Sequence, residues 1–151
     1  MSIEGIKNYL PIDDGIGTAG QPTEAELAEV ARAGFTTVIN LGLLDPKYCL
    51  PDEAGLVGSL GLAYQHIPVK FDAPTLADFR AFLAAMDAAA GGKRFVHCAA
   101  NYRVSSFMAV YGELRLGWSR AEADAHAARL WQPNPVWQAF LRETRAALLG
   151  G

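Results

Sequence analysis

The stretch from Arg94 to Ser106, RFVHCAANYRVSS, places a histidine, a cysteine, an arginine and two serines close together. A thiolate at Cys98 is a nucleophile, and a guanidinium at Arg103 can hold two oxygens of a phosphoryl group. Consecutive backbone N–H groups between the two, followed by the start of a helix, form a concave anion site whose dipole also favours the thiolate. The chemistry open to this set is attack on phosphorus, with transition-state charge held by amides and guanidinium.

The elements that must position these groups lie on either side. Gly91 and Gly92 end a helical pattern, and Phe95 and Val96 suit a buried parallel strand, Arg94 to His97. Past Arg103, the residues Phe107, Met108, Tyr111 and Leu114 recur at helical spacing. Cys98 is therefore expected on a strand-to-helix turn.

HCAANYRVSS resembles the phosphate-binding loop of the cysteine-based protein tyrosine phosphatases, in particular the small bacterial dual-specificity-like group. That pattern runs His-Cys, two residues, Gly, two residues, Arg, then Ser or Thr. Here Asn101 stands in the glycine slot, Val104 stands in the arginine slot, and Arg103 comes one residue early. Asn is the residue other than glycine that best tolerates positive φ, so the first departure is mild. The second either shortens the loop, leaving Arg103 over the phosphate, or turns Arg103 about 100° away around the first helical turn. The resemblance implies that Ala99, Ala100, Asn101, Tyr102, Arg103 and Val104 line the phosphate. It also implies that His97 tunes the cysteine and that Ser105, or Ser106 in a shortened loop, bonds the thiolate.

The same resemblance extends to other stretches. In the family an aspartate on the loop after the preceding strand protonates the leaving oxygen, and Asp72 is the one carboxylate in the stretch KFDAP. It is the candidate acid, or else a turn residue before the next helix. Lys70 either attracts phosphate or is a solvated lysine. PNP, with Asn134, resembles a turn that buttresses the active loop, although a bare helix cap would read the same. TAGQP resembles an N-terminal signature of bacterial phosphatase-like proteins; by itself it is a turn and a cap. Tyr102, Phe71 and Trp131 are candidates for the pocket rim.

Composition bounds these readings. With 151 residues and 51% hydrophobic residues the chain is read as one domain, 1–151, of ordinary globular make-up. A formal net charge of −3 speaks against a general nucleic-acid or membrane-surface role, and no apolar run is long enough to span a bilayer. Two cysteines, Cys49 and Cys98, make no disulfide framework, and a reduced, cytoplasmic setting is expected. Cys49 could protect an oxidised Cys98 as a disulfide, or be a plain loop or core thiol. No ligand cluster suggests a metal, and no cofactor is expected.

The rest of the chain predicts an α/β fold, with a central, mainly parallel sheet of four or five strands and helices on both faces. Ile3 to Ile12, interrupted by Pro11, suits an edge strand or an extended entry. Thr23 and Glu26 form a capping box for a helix ending at Gly34, and Phe35 to Leu41 reads as a strand with Asn40 at its functional end. The loop Gly42 to Leu50 is either a wall of the entrance or a connector. Pro51 is placed at the start of a short helix ending at Gly61. Tyr64 to Val69 reads as a third buried strand, and Thr75 to Ala90 as an amphipathic helix. Ser119 and Glu122 open a further helix, and a last helix carries Trp137, Phe140, Leu141 and Leu148 on one face. His66 and His126 are read as structural.

These residues predict a cysteine-dependent phosphomonoesterase acting on phosphorylated protein or a small phosphomonoester. Two alternatives use the same cysteine. One is an impaired pseudophosphatase that holds phosphate or a phosphopeptide; the other is a rhodanese-like sulfurtransferase.

Overall fold

The computed structural model describes residues 2–150. After a short 3-10 helix, Ile3–Gly5, the order is β1 (Leu10–Asp13), β2 (Ile16–Ala19), α1 (Glu24–Arg32), β3 (Phe35–Asn40), α2 (Glu53–Ser59), β4 (Ala63–His66) and α3 (Leu76–Ala88). It continues with β5 (Lys93–His97), α4 (Tyr102–Arg115), α5 (Arg120–Ala127) and α6 (Pro135–Leu149). The strands form one sheet in the order β1-β2-β5-β3-β4, and only the β1–β2 pair is antiparallel. β5 thus lies in the middle, and the chain leaves its C-terminal end at Cys98.

Local chemistry explains most boundaries. Thr23, Thr75 and Ser119 each cap a helix in a reciprocal box with the acidic residue three positions on: Glu26, Asp78 and Glu122. Gly34, Gly61, Gly117 and Gly150 take positive φ just beyond helix ends.

Three expectations shift. The helix predicted from Pro51 begins at Glu53, because the Asp52 side chain supplies the cap by accepting from the Gly55 N–H. The third strand ends at His66 and is an edge, not a buried strand; Ala63 and Gln65 are exposed, since among the described residues β4 pairs only with β3. β2 had been read within a turn-and-cap stretch. Its Gly17 and Ala19 carry little strand signal, yet all four of its residues are buried beside β5.

The sheet divides two cores. Leu27 and Val30 of α1 and Val57 of α2 pack with Val38 and Phe95 on one face. On the other, Phe79, Phe82 and Met86 of α3, the length of α4, and Trp137, Phe140 and Leu141 of α6 pack with Ile39 and Val96. Along β5 the side chains alternate between the faces, as pleating requires. α4 is enclosed by α3, α5, α6 and the sheet, which is why its residues from Arg103 to Gly112 are all buried. Phe107 stacks on Phe140 at 5.0 Å and meets Phe79 and Phe82 edge-on. Arg145 of α6 bonds Glu113 of α4 and Asp124 of α5, each at 2.8 Å, tying the three helices together. Among the described residues no helix is long and apolar enough to cross a membrane.

His126 on α5 is buried against Trp118, and its Nε2 has no hydrogen-bond partner among the described residues. Burial, followed by the nearby Arg129 charge, lowers its pKa from 6.5 to about 4. Below pH 6.5 the unfolded chain takes up a proton there that the folded chain refuses until about pH 4. The stabilisation is therefore complete above 6.5 and is lost as the pH falls toward 4, amounting to about 2 kcal/mol by pH 5. Urea unfolding at pH 7.5 and pH 5 checks this: the native chain should lose about 2 kcal/mol more than His126→Gln over that interval, and equal losses would refute it.

Candidate active site

The loop between β5 and α4 is fixed from outside by the N-terminal segment. Gln21 N–H donates to Ala99 O at 3.0 Å, and Asn8 Nδ2 donates to Ala100 O at 2.9 Å. A side chain on Gly20 would place its Cβ 2.7 Å from Ala99 O and 3.1 Å from Ala100 Cα, so only glycine permits this approach. The carbonyls of Ala99 and Ala100 are thereby bonded to the N-terminal segment, and the amides at the N-terminus of α4 are of the kind that can bind an anion.

Asn101 caps α4 in the left-handed region, with φ 69° and ψ 5°. It is buried, and its Nδ2 donates to Asn8 O at 2.9 Å and to Thr18 Oγ1 at 3.1 Å. It meets the backbone demand of a glycine and adds a clamp to two neighbouring segments. Asn8, its partner, also has positive φ.

Cys98 is 1% exposed, at the end of the central strand on the α4 side. Arg103, 6% exposed, occupies the first turn of α4 and donates from Nη1 to Val69 O at 2.8 Å. Its guanidinium carbon is 5.9 Å from the centre of the Phe71 ring. Val104, in the family's arginine slot, lies in the core. Ser105 and Ser106 are buried; Ser105 Oγ donates to Asn101 Oδ1 at 3.5 Å.

The segment after β4 is held from two sides. Arg103 binds it at Val69, and the Trp137 indole N–H donates to Phe71 O at 2.8 Å. Asp72 follows directly and is exposed, as is Lys70. Phe71 packs on Trp131 and Trp137, and Trp131 stacks on Tyr102 at 4.8 Å with the planes 7° apart. The three rim candidates therefore form one aromatic group beside Arg103. Asn134 accepts from Trp137 N–H at 3.0 Å as the cap of α6, and its contact with the site runs through Trp137.

One residue at the base of the site, Glu53, escaped sequence reasoning, and its partner Gln21 was reached only as part of TAGQP. Glu53 of α2, 4% exposed, lies with Oε2 at 2.6 Å from His97 Nε2. Its Oε1 accepts from Gln21 Nε2 at 2.8 Å. Burial pushes the Glu53 carboxyl up, but the hydrogen bond and charge of His97, the Gln21 amide and the charge of His66 outweigh it and hold the group below its usual range. Only the GQP stretch pointed toward this network; nothing near Glu53 in the sequence marks it.

The Gly42 to Leu50 loop begins beside Cys98. A Cβ on Gly42 would lie 3.6 Å from Cys98 Cα, and His66 Nε2 donates to Gly42 O at 2.7 Å. Asn40 accepts from Gly42 N–H at 2.8 Å and donates to the Tyr64 hydroxyl at 3.1 Å. Cys49 is half-buried and lines a cavity of about 370 Å³ with Leu44, Pro46, Leu50 and Pro51.

No family model matches the chain. It is similar to the β-lactamase hydrolase-like protein of Xylella fastidiosa (strain Temecula1 / ATCC 700964), 31% identical over 124 residues, covering 77% of this chain and 28% of that protein. The chain thus spans less than a third of the length of that relative. Among solved structures, a candidate phosphatase (DUF442) from Shewanella putrefaciens CN-32 matches with TM-score 0.86 and 34% identity over 96% of this chain and 95% of that one. A mutant form of Tk-PTP matches with TM-score 0.78 and 25% identity over 95% and 98%.

The clamp on Asn101 separates two contributions. Asn101→Gly keeps the left-handed turn and loses the side-chain bonds, whereas Asn101→Ala loses both. Urea unfolding should place Asn101→Ala about 2–4 kcal/mol below the native chain and Asn101→Gly about 1 kcal/mol above Asn101→Ala. Equal stability of the two variants would remove the backbone argument.

Proposed function

Because the chain belongs to the cysteine-based protein tyrosine phosphatase-like family, we propose that it hydrolyses phosphomonoesters through a phosphocysteine formed on Cys98. The Cys98 thiolate attacks phosphorus, the bond to the ester oxygen breaks, and the Asp72 carboxyl gives that oxygen its proton. Water then attacks the phosphocysteine and loses a proton to the Asp72 carboxylate, releasing inorganic phosphate and restoring the thiolate. The amides of residues 99–104 and the remaining N–H groups of Arg103 hold the equatorial oxygens as charge gathers on them.

One observation carries this reading. The bond from Arg103 to Val69 O joins the first turn of α4, which follows the Cys98 loop, to the segment bearing Asp72, and it supports taking Cys98, Arg103 and Asp72 as the nucleophile, clamp and acid of one site. Its aromatic flank of Phe71, Trp131 and Tyr102 suits an aryl phosphate ester, as on phosphorylated tyrosine, and leaves small phosphomonoesters within the substrate class.

The test is turnover of p-nitrophenyl phosphate across acidic to neutral pH. The native chain should turn over, Cys98→Ser should be inactive, and Arg103→Ala should lose about a thousandfold or more. Asp72→Asn should lose about a hundredfold and the acidic-pH advantage with it. A silent native chain that still binds orthovanadate would make this a phosphate-binding module. Sulfur transfer from thiosulfate to cyanide that vanishes in Cys98→Ser would make it a sulfurtransferase.

A further inference from the structure

Adjacent in sequence, His97 and Cys98 leave β5 toward opposite faces of the sheet, Cys98 toward α4 and His97 toward α2. His97 is wholly buried, and both of its ring nitrogens lie against oxygen. Nε2 is 2.6 Å from Glu53 Oε2, and Nδ1 is 3.3 Å from the Cys98 carbonyl oxygen. A carbonyl oxygen only accepts, so the Nδ1 contact is a hydrogen bond only if Nδ1 carries a proton. The 2.6 Å contact likewise needs a proton between nitrogen and carboxylate, and the short distance is that of a charge-assisted bond.

Those two requirements give the pair one proton more than a neutral imidazole facing an ionised carboxylate. Burial argues the same way. With a single ring proton the pair would carry a net negative charge in a site shut off from water; with two it is neutral overall, and interiors penalise the unbalanced state heavily. The Gln21 amide, on Glu53 Oε1, occupies the other oxygen as a donor and fixes the carboxylate's orientation. The other ionisable groups around the pair are Tyr64 and His66 on β4 and Cys98 itself.

We propose that Glu53 is a positioning residue for the Cys98 nucleophile, holding a second proton on the His97 ring so that Nδ1–H donates to the Cys98 carbonyl, one residue's backbone from the sulfur. Gln21 holds Glu53 in place for this role. The inference deepens the phosphatase reading and rests on it only in taking Cys98 as the reacting group. It explains why a glutamate from the start of α2 is brought into the interior and why the Gly20–Gln21 segment serves both sides of the loop. Gln21 supports the loop through its backbone and the Glu53–His97 pair through its side chain.

The experiment uses the full chain with Cys49→Ser, so that Cys98 is the one remaining thiol, and follows its alkylation by iodoacetamide against pH by mass spectrometry. Glu53→Gln should react about tenfold more slowly at neutral pH and recover toward the parent rate at alkaline pH, where any thiol is ionised. Gln21→Leu should shift the profile in the same direction by less. Heteronuclear NMR of the parent chain, which needs no substitution at Glu53, should find protons on both His97 ring nitrogens at neutral pH. A single ring proton, or a pH profile that is unchanged in folded Glu53→Gln, would overturn the proposal. A uniform loss of rate at every pH would also overturn it, since that is the signature of a merely structural role. Alkylation needs no phosphate ester, so a chain inactive on p-nitrophenyl phosphate would count against the phosphatase reading alone.

Discussion

The site depends on one close approach: the backbone at Gly20 and Gln21 pressed against the carbonyls of the Cys98 loop. Backbone groups in a tight turn must be satisfied, and the carbonyls of this loop need donors outside it. Gln21 N–H and the Asn8 side chain receive them, and Asn101 reaches back to the same N-terminal segment. A residue larger than glycine at position 20 would push the loop off this support. β2, which delivers Gly20, pairs directly with β5, so sheet pairing and loop support are one arrangement.

The second organising fact is the pleat of β5. Successive residues face opposite cores, so Cys98 and the histidine before it are anchored in different halves of the molecule. Cys98 belongs with α3, α4 and α6, which also carry Arg103 and the Trp137 that holds Phe71. His97 belongs with α2 and, through Glu53, with Gln21. The loop between them is set by both cores at once.

Polar groups concentrate where they cost most. Arg103, Asn101, His97 and Glu53 are all buried within a short distance of Cys98, and each has a specific partner. Replacing such pairs with apolar groups commonly gains stability, so their concentration at one end of the sheet is not what folding alone favours. His126, by contrast, sits on α5 against Trp118, where burial lowers its pKa.

Much of this was legible in the chain. The three capping boxes, the apolar spacing of α3, α4 and α6, and the strand character of FTTVIN and RFVH depend on residues a few positions apart, and local physics decides them. The HCAANYRVSS loop was legible because its chemistry is contiguous, and Asn101 could be expected at positive φ from its own side chain. Tertiary structure alone decided the rest. β2, with Gly17 and Ala19 weakening its own signal, is a strand because β5 and β1 lie beside it; β4 is exposed because among the described residues it pairs only with β3. Glu53 meets His97 across 44 residues and Asn8 meets Asn101 across 93. No period or motif encodes such contacts, since they arise only when the sheet brings distant segments to one edge. The direction of Arg103 falls in the same class. Its identity was written in the sequence, but its bond to Val69 required the β4–α3 segment to be packed against the first turn of α4.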